Sequence, residues 1–271
     1  MKTRIISAAV LVPILFVVVL VLDEIVAAML MAVMMAIGVY ELLFRTRLVR
    51  HPRMVIYSCA MAFAIAVWSY LGAIDAYLTV AILVFLMLLF GEMMADHVKV
   101  HMETVAVCFY AGFLVPYLLT AMIRILMMSL GRYFIAIPFV VAFLSDAGAY
   151  FAGIFLGKHK LAPVVSPNKT IEGAIGGLLA AVVGMLLYGM ILDFGFKFEV
   201  DYLLCILYGL LGSAVGVFGD LCFSVIKRQT GIKDYGNLIP GHGGILDRFD
   251  SLMMVAPLVE ALLFLLPVAV G

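Results

Sequence analysis

The sequence predicts an all-α polytopic membrane protein of about nine transmembrane helices, with a cytoplasmic N-terminus and an outside C-terminus. Three observations predict it. First, 66% of the 271 residues are hydrophobic and 13% are charged, whereas a soluble domain is roughly half apolar and a quarter charged. Mean hydropathy is +1.23. Such a chain cannot hide its apolar surface inside itself, so lipid must act as its solvent. Second, the apolar residues come in runs near the ~20 residues that cross a bilayer. Third, with the N-terminus inside, 14 Lys and Arg residues fall on the cytoplasmic side and 3 outside, the bias expected of cytoplasmic loops.

The runs are 5–22, 25–44, 54–72, 76–95, 104–123, 133–156, 171–192, 202–223 and 251–270. Each is expected to be helical, because a helix satisfies its own backbone hydrogen bonds in lipid. A β-barrel would alternate apolar and polar residues, and these runs do not. The first run follows Met1-Lys-Thr-Arg4, and no small-x-small site precedes Asp23. It therefore reads as an uncleaved span rather than a signal peptide. The chain divides into about five N-terminal helices over 1–130 and a C-terminal domain over 131–271. The latter carries two polar cytoplasmic loops, 157–172 and 224–250.

The net charge of zero gives no sign of a nucleic-acid partner. Cys59, Cys108, Cys205 and Cys222 form no CxxC pair and read as small core residues. The basic loop Arg45–Arg53 reads as a topology signal attracted to anionic lipid heads.

Carboxylates inside apolar runs need a reason, because a charge at that depth costs several kcal/mol unless it meets water, a metal or a partner. Asp146 lies well inside the sixth run, with Tyr150 four residues on along the same helix face. Asp220 ends Gly216-Val-Phe-Gly-Asp220, and Ser224 and Lys227 follow at i+4 and i+7. If the helix continues, a carboxylate, a hydroxyl and an ammonium share one face. Gly209, Gly212, Gly216 and Gly219 thin that helix and suit close packing. Glu41 and Glu92 lie near cytoplasmic helix ends, where reaching the interface is easy, and Glu260 lies deeper, as a candidate supporting carboxylate.

The stretch KRQTGIKDYGNLIPGHGGILDRFD, residues 227–250, holds four basic residues, three aspartates, a histidine and five glycines. Gly241, Gly243 and Gly244 around His242 let the backbone approach a ligand closely. A helix from about Ile245 would present free N–H groups to an anion. On that helix Asp247 and Asp250 would share a face, and Arg248 would project elsewhere. Lys227, Arg228 and Lys233 add cations. Carboxylates beside cations and a glycine-rich helix start indicate Mg²⁺ with a polyphosphate, Asp220 and Asp247 being the first choices as ligands. Zinc is disfavoured, because no His or Cys cluster has ligand spacing. In the other loop, Ser166, Asn168 and Thr170 can each cap the following helix, and Pro167 suits its first turn. Lys169 opposes the helix dipole unless an anion sits there, so Asn168 and Lys169 read as contacts to a phosphate or base.

These residues carry a family resemblance. The run Ser224-x-Ile-Lys-Arg228-x₄-Lys233-Asp234-x-Gly236-x₂-Ile-Pro240-x-His242-Gly-Gly-Ile245-x-Asp247-Arg-Phe-Asp250 resembles the signature of phosphatidate cytidylyltransferases, also called CDP-diacylglycerol synthases. Ser166-Pro-Asn-Lys-Thr-x-Glu172 is similar to a second element, with Asn168 where lysine is often seen, and Asp146-x₃-Tyr150 fits a third. The resemblance covers roughly 143–251. It implies that CTP and phosphatidic acid give CDP-diacylglycerol and pyrophosphate with Mg²⁺, and that 131–271 is the catalytic domain. It implies catalytic roles for Asp220, Asp247, Lys227 and Asp250, with Asp146 as a further ligand to Mg²⁺ or to a second cation. Substrate contacts would come from Ser166, Asn168, Lys169, Ser224, Arg228, Lys233, Asp234, His242, Gly243, Gly244 and Arg248. The lipid phosphate is already anionic, so no protein nucleophile is needed; positioning and charge neutralisation suffice.

The alternatives are a CTP-dependent lipid or polyprenol kinase and a membrane transporter. A transporter would predict two matching halves, and none is visible. Gly212-x₃-Gly216 and Gly173-x₂-Gly176-Gly177 permit tight contacts within or between chains, so the sequence leaves a homodimer open. A compact chain without a targeting extension fits a bacterial inner membrane, with the site facing the cytoplasm.

Overall fold

The computed structural model describes residues 22–72, 74–239 and 243–270. The first expected span, 5–22, and His242 with its neighbours Pro240 and Gly241 lie outside the described residues.

Among the described residues, seven helices are long and apolar enough to cross a membrane. They are α1 (Glu24–Arg45), α2 (Pro52–Tyr70), α3 (Ala76–Ala95), α4 (Met102–Leu126), α5 (Gly131–Leu156), α6 (Ile171–Gly195) and α7 (Tyr202–Gln229). Each coincides with an expected run. This is the architecture of a polytopic helical membrane protein. Large apolar side chains such as Met87, Phe155 and Leu203 stand on the outside, where a lipid solvent would meet them. The last expected run is different. Its helix is α9 (Leu252–Leu265), and a turn at Asp250–Ser251 separates α9 from a four-residue helix α8 (Leu246–Phe249) that precedes the run. α9 has 14 residues, about 21 Å at 1.5 Å per residue, short of a ~30 Å hydrocarbon core.

The described chain forms two compact units. The first comprises the residues up to Met127 together with Lys227–Phe249; the second comprises Met128–Ile226 with Asp250 onward. The polar stretch 227–249 groups with the N-terminal helices. Its apolar side explains why: Leu246 is buried and packs beside Gly38 of α1, and Tyr235 is buried too.

In the first unit, α1 ends in a π turn (Glu41–Arg45) and α4 is interrupted by another (Tyr110–Leu114). Gly112, in that second turn, lies against Ser58 of α2 and Phe85 of α3, and a Cβ there would stand 2.8 Å from the Ser58 Cα. Arg124 remains within α4, donating to the Tyr117 carbonyl and to Thr120 Oγ1 at 2.7 Å.

In the second unit, small residues let helix backbones approach closely. Gly148 and Gly153 of α5 face Gly173, Gly176 and Gly177 of α6. Gly209 of α7 abuts the Val182 backbone of α6, Gly212 abuts Val141 of α5, and Gly216 and Gly219 abut Val255 and Met254 of α9. Both glycine motifs are therefore spent inside the chain. Where the glycines end, polar groups pair: Ser145 and Ser213 join α5 to α7 with their hydroxyls 2.7 Å apart, and Tyr208 donates to the Leu266 carbonyl. A two-stranded antiparallel hairpin, β1 (Lys160–Ala162) with β2 (Ser166–Thr170), leads from α5 to α6. A separate two-stranded antiparallel ladder pairs β3 (Glu199–Val200) with β4 (Ala269–Val270), which follows α9 in the chain.

The close α5–α6 packing makes a prediction. A Cβ at Gly176 would overlap that of Ala152, whereas one at Gly91 meets nothing within 4 Å. Chemical denaturation in detergent is expected to show Gly176→Val losing roughly 1–3 kcal/mol, and Gly91→Ala unchanged or more stable by up to about 1 kcal/mol.

Candidate active site

Many of the described polar residues singled out from the sequence fall into two clusters, one in each unit. In the second unit, β2 ends at Thr170, whose Oγ1 accepts from Gly173 N at 3.1 Å and caps α6. Ser166 and Asn168 lie on β2 instead of capping the helix, because 166–170 pairs with 160–162 as a strand. Glu172, in the first turn of α6, accepts from the Lys158 and His159 amides and lies 2.6 Å from His159 Nδ1. The hairpin is thus tied to the helix start at both of its ends.

Lys169 sits beside that helix start, and the anion it meets is Asp220 of α7, with Nζ 2.5 Å from Oδ2. Each side chain retains 25% exposure, so the pair can be approached. Ser224 Oγ donates to Asp220 Oδ1 at 3.3 Å. α7 runs unbroken to Gln229, so the expected i+4 relation between Asp220 and Ser224 is realised. Asp250 follows α8 in a turn, not on the same helix as Asp247, since the helix ends at Phe249. The Asp250 carbonyl lies against Gly219, next to Asp220 in the chain. Asp146 and Tyr150 are both exposed on α5.

In the first unit, Lys227, Tyr235, Gly244 and Asp247 come together. Lys227 Nζ donates to Asp247 Oδ1 at 3.0 Å, with side chains 12% and 3% exposed. Asp247 Oδ2 accepts from the Tyr235 amide at 2.8 Å and the Gly244 amide at 2.9 Å. The Lys227 ammonium also lies 5.3 Å from the Tyr235 ring centroid, close enough for a cation–π attraction. Gly243 adopts φ +85°, a conformation that glycine accepts readily. A Cβ there would stand 2.7 Å from Asp247 Oδ2. The Gly244 amide is thus turned to an internal carboxylate rather than held open for an anion. Arg228, Lys233, Asp234 and Arg248 are exposed around this core.

Two carboxylates do more than their positions near helix ends announce. Glu41 is buried and accepts from the Leu246 amide. Glu92 accepts from Tyr57 and lies 3.7 Å from both His51 and Arg53. Their signal in the sequence is an acid within an apolar run, but that signal does not name the partner.

Among the described residues, no three His, Cys, Asp or Glu side chains converge as a metal site. Mg²⁺ does not require such a group where phosphate oxygens and waters complete its octahedron. A single accessible carboxylate flanked by a hydroxyl, as Asp220 is by Ser224, fits that donor set.

Residues 2–266 match the model of a family described as the cytidylyltransferase family. A phosphatidate cytidylyltransferase from Staphylococcus aureus (strain COL) is 49% identical over 135 residues, half of this chain and half of that protein. The protein of that name from Staphylococcus saprophyticus is 46% identical over 135 residues, again half of each. The alignments thus span about half the length of these relatives.

The burial of the Lys227–Asp247 pair sets an expected cost. Lys227→Met leaves the Asp247 carboxylate without its cation and should lose about 3–5 kcal/mol of stability in chemical denaturation. Adding Asp247→Asn removes the uncompensated charge and should recover part of that loss.

Proposed function

The chain belongs to the cytidylyltransferase family, and on that footing we propose that it transfers CMP from CTP to phosphatidic acid. The products are CDP-diacylglycerol and pyrophosphate, for phospholipid synthesis. The observation that carries this reading is the pairing of lysine with aspartate, Lys169 with Asp220 and Lys227 with Asp247. Such pairs suit the holding and neutralising of polyanions, and the reaction asks for little else.

A phosphatidate oxygen forms a bond to the α-phosphorus of CTP. The bond from that phosphorus to the β-bridging oxygen breaks, and its electron pair leaves with pyrophosphate. The attacking oxygen is already anionic, so no side chain has to remove a proton. Lys169, on an approachable strand, would meet a CTP phosphate by exchanging part of its contact with Asp220, and Ser166 and Asn168 on the same strand would meet the nucleotide. Lys227, with Arg228 and Lys233, would steady the triphosphate or the lipid phosphate. Ser224, Asp234, His242, Gly243 and Arg248 complete the proposed substrate contacts.

Mg²⁺ fits the proposal at Asp220, whose carboxylate is approachable beside Ser224; the sequence adds Asp247 as a candidate ligand in its own cluster, and Asp250 and Asp146 as candidates for a second cation. When bound it would neutralise charge on the triphosphate. The positive-inside count supports a cytoplasmic N-terminus and site, an outside C-terminus and a ninefold helix count. The bacterial relatives support a bacterial cell membrane. A homodimer draws no support from the glycine motifs, which pack inside the chain.

The test is pyrophosphate release by detergent-purified protein given CTP, Mg²⁺ and phosphatidic acid, with each omitted in turn. Release should need all three, and Asp220→Asn should reduce it by at least about 10²-fold, as expected when an electrostatic contact to the transition state is lost. CDP in place of pyrophosphate would make the protein a kinase. Neither product from folded protein would overturn both enzymatic readings.

A further inference from the structure

Glu41 begins the π turn that closes α1. A glutamate one turn from a helix end can extend to water, but this one turns inward and is 4% exposed. Its Oε2 accepts from the backbone amide of Leu246 at 3.0 Å, a residue 205 positions further along the chain. Its carboxylate also occupies the space that side chains at two glycines would need. A Cβ at Gly236 would stand 2.7 Å from Glu41 Cδ, and one at Gly244 would stand 2.6 Å from it. Glycine is required at both positions because this carboxylate is there.

Gly244 therefore lies between two carboxylates. Glu41 fills the space a side chain there would take, while Asp247 Oδ2 takes its amide at 2.9 Å. Asp247 also takes the Tyr235 amide at 2.8 Å, and Tyr235 precedes Gly236. The two arms of the loop, 235–236 and 243–247, are pinned from one side by Asp247 and from the other by Glu41. Burying a carboxylate is costly unless donors satisfy it, and an apolar side chain would fill the same space at less cost. What the carboxylate adds is a directed anchor from α1 to the loop that presents Lys227's partner.

We propose that Glu41 is a positioning residue for the transferase reaction. It touches neither substrate. It holds the arms 235–236 and 243–247 so that Asp247 keeps the Lys227 ammonium at its 3.0 Å station. The catalytic purpose rests on the function proposed above, whereas the anchoring does not.

The experiment uses full-length protein in detergent, followed by hydrogen–deuterium exchange and by steady-state kinetics. Glu41→Ala should raise exchange across 233–249 about tenfold or more, while α2 and α3 keep wild-type protection. The same variant should lower kcat by about 100-fold with KM for CTP within about threefold, as misplacement of a catalytic group does. Glu41→Gln keeps an acceptor oxygen for Leu246 and should restore kcat to within about tenfold of wild type. Gly244→Ala should be impaired alone, and combined with Glu41→Ala it should be no worse than Glu41→Ala, because the atoms it strikes are gone.

Unchanged exchange in Glu41→Ala would sink the proposal, and so would Glu41→Gln behaving like Glu41→Ala. Should Glu41→Ala fail to fold, the Gln variant and the Gly244→Ala pairing decide alone, the latter on exchange in a Glu41→Gln background where the clash must persist. Loop release in a protein whose wild type makes no pyrophosphate would leave the anchoring standing and remove its catalytic purpose together with the function proposed above.

Discussion

A chain solvated by lipid has to satisfy its buried polar groups from within, and the polar contacts inside this protein follow from that constraint. The long helices meet it by their own hydrogen bonding. The loops cannot, so they fold around side chains that act as surrogate partners. Asp247 takes two loop amides and an ammonium, Glu41 takes the amide of Leu246, and Glu172 takes two hairpin amides. Carboxylates do this well because each offers several acceptor sites and forms short, charge-assisted bonds.

The same constraint separates two kinds of lysine–aspartate pair. Lys227–Asp247 is buried and shared with the backbone, so it holds the loop as much as it could serve a ligand. Lys169–Asp220 is a quarter exposed on each side and bonded only through side chains, so it can exchange partners at small cost. A single sequence rule, acid beside base, yields a structural joint in one unit and an approachable pair in the other. Burial makes the difference, since an ammonium leaving a dry carboxylate exposes an uncompensated charge.

Helix packing obeys a different rule. Between helices in lipid there is no hydrophobic gain to be had, so close approach of backbones supplies the attraction. Gly148, Gly153, Gly173, Gly176 and Gly177 bring α5 and α6 together, Gly209 and Gly212 seat α7 on α6 and α5, and Gly216 and Gly219 seat it on α9. The Ser145–Ser213 hydroxyl pair and the Tyr208 bond to Leu266 add direction where the glycines end.

Composition, run length and the distribution of Lys and Arg determined the class, because they report how a whole segment partitions between lipid and water. Seven expected spans coincide with seven helices for that reason. The spacing of Asp220 and Ser224 was legible too, since an unbroken helix turns i and i+4 to one face. Tertiary structure alone decided the rest. It ended the helix expected from about Ile245 at Phe249, which put Asp247 and Asp250 on separate elements, and it made 166–170 a strand, leaving Thr170 as the cap. It gave Lys169 its anion and Glu41 its amide, partners 51 and 205 residues away in the chain. Local pattern carries periodicity and partition energy, but a buried carboxylate's partner is set by which backbone amide the packing leaves unsatisfied nearby, and no local pattern records that.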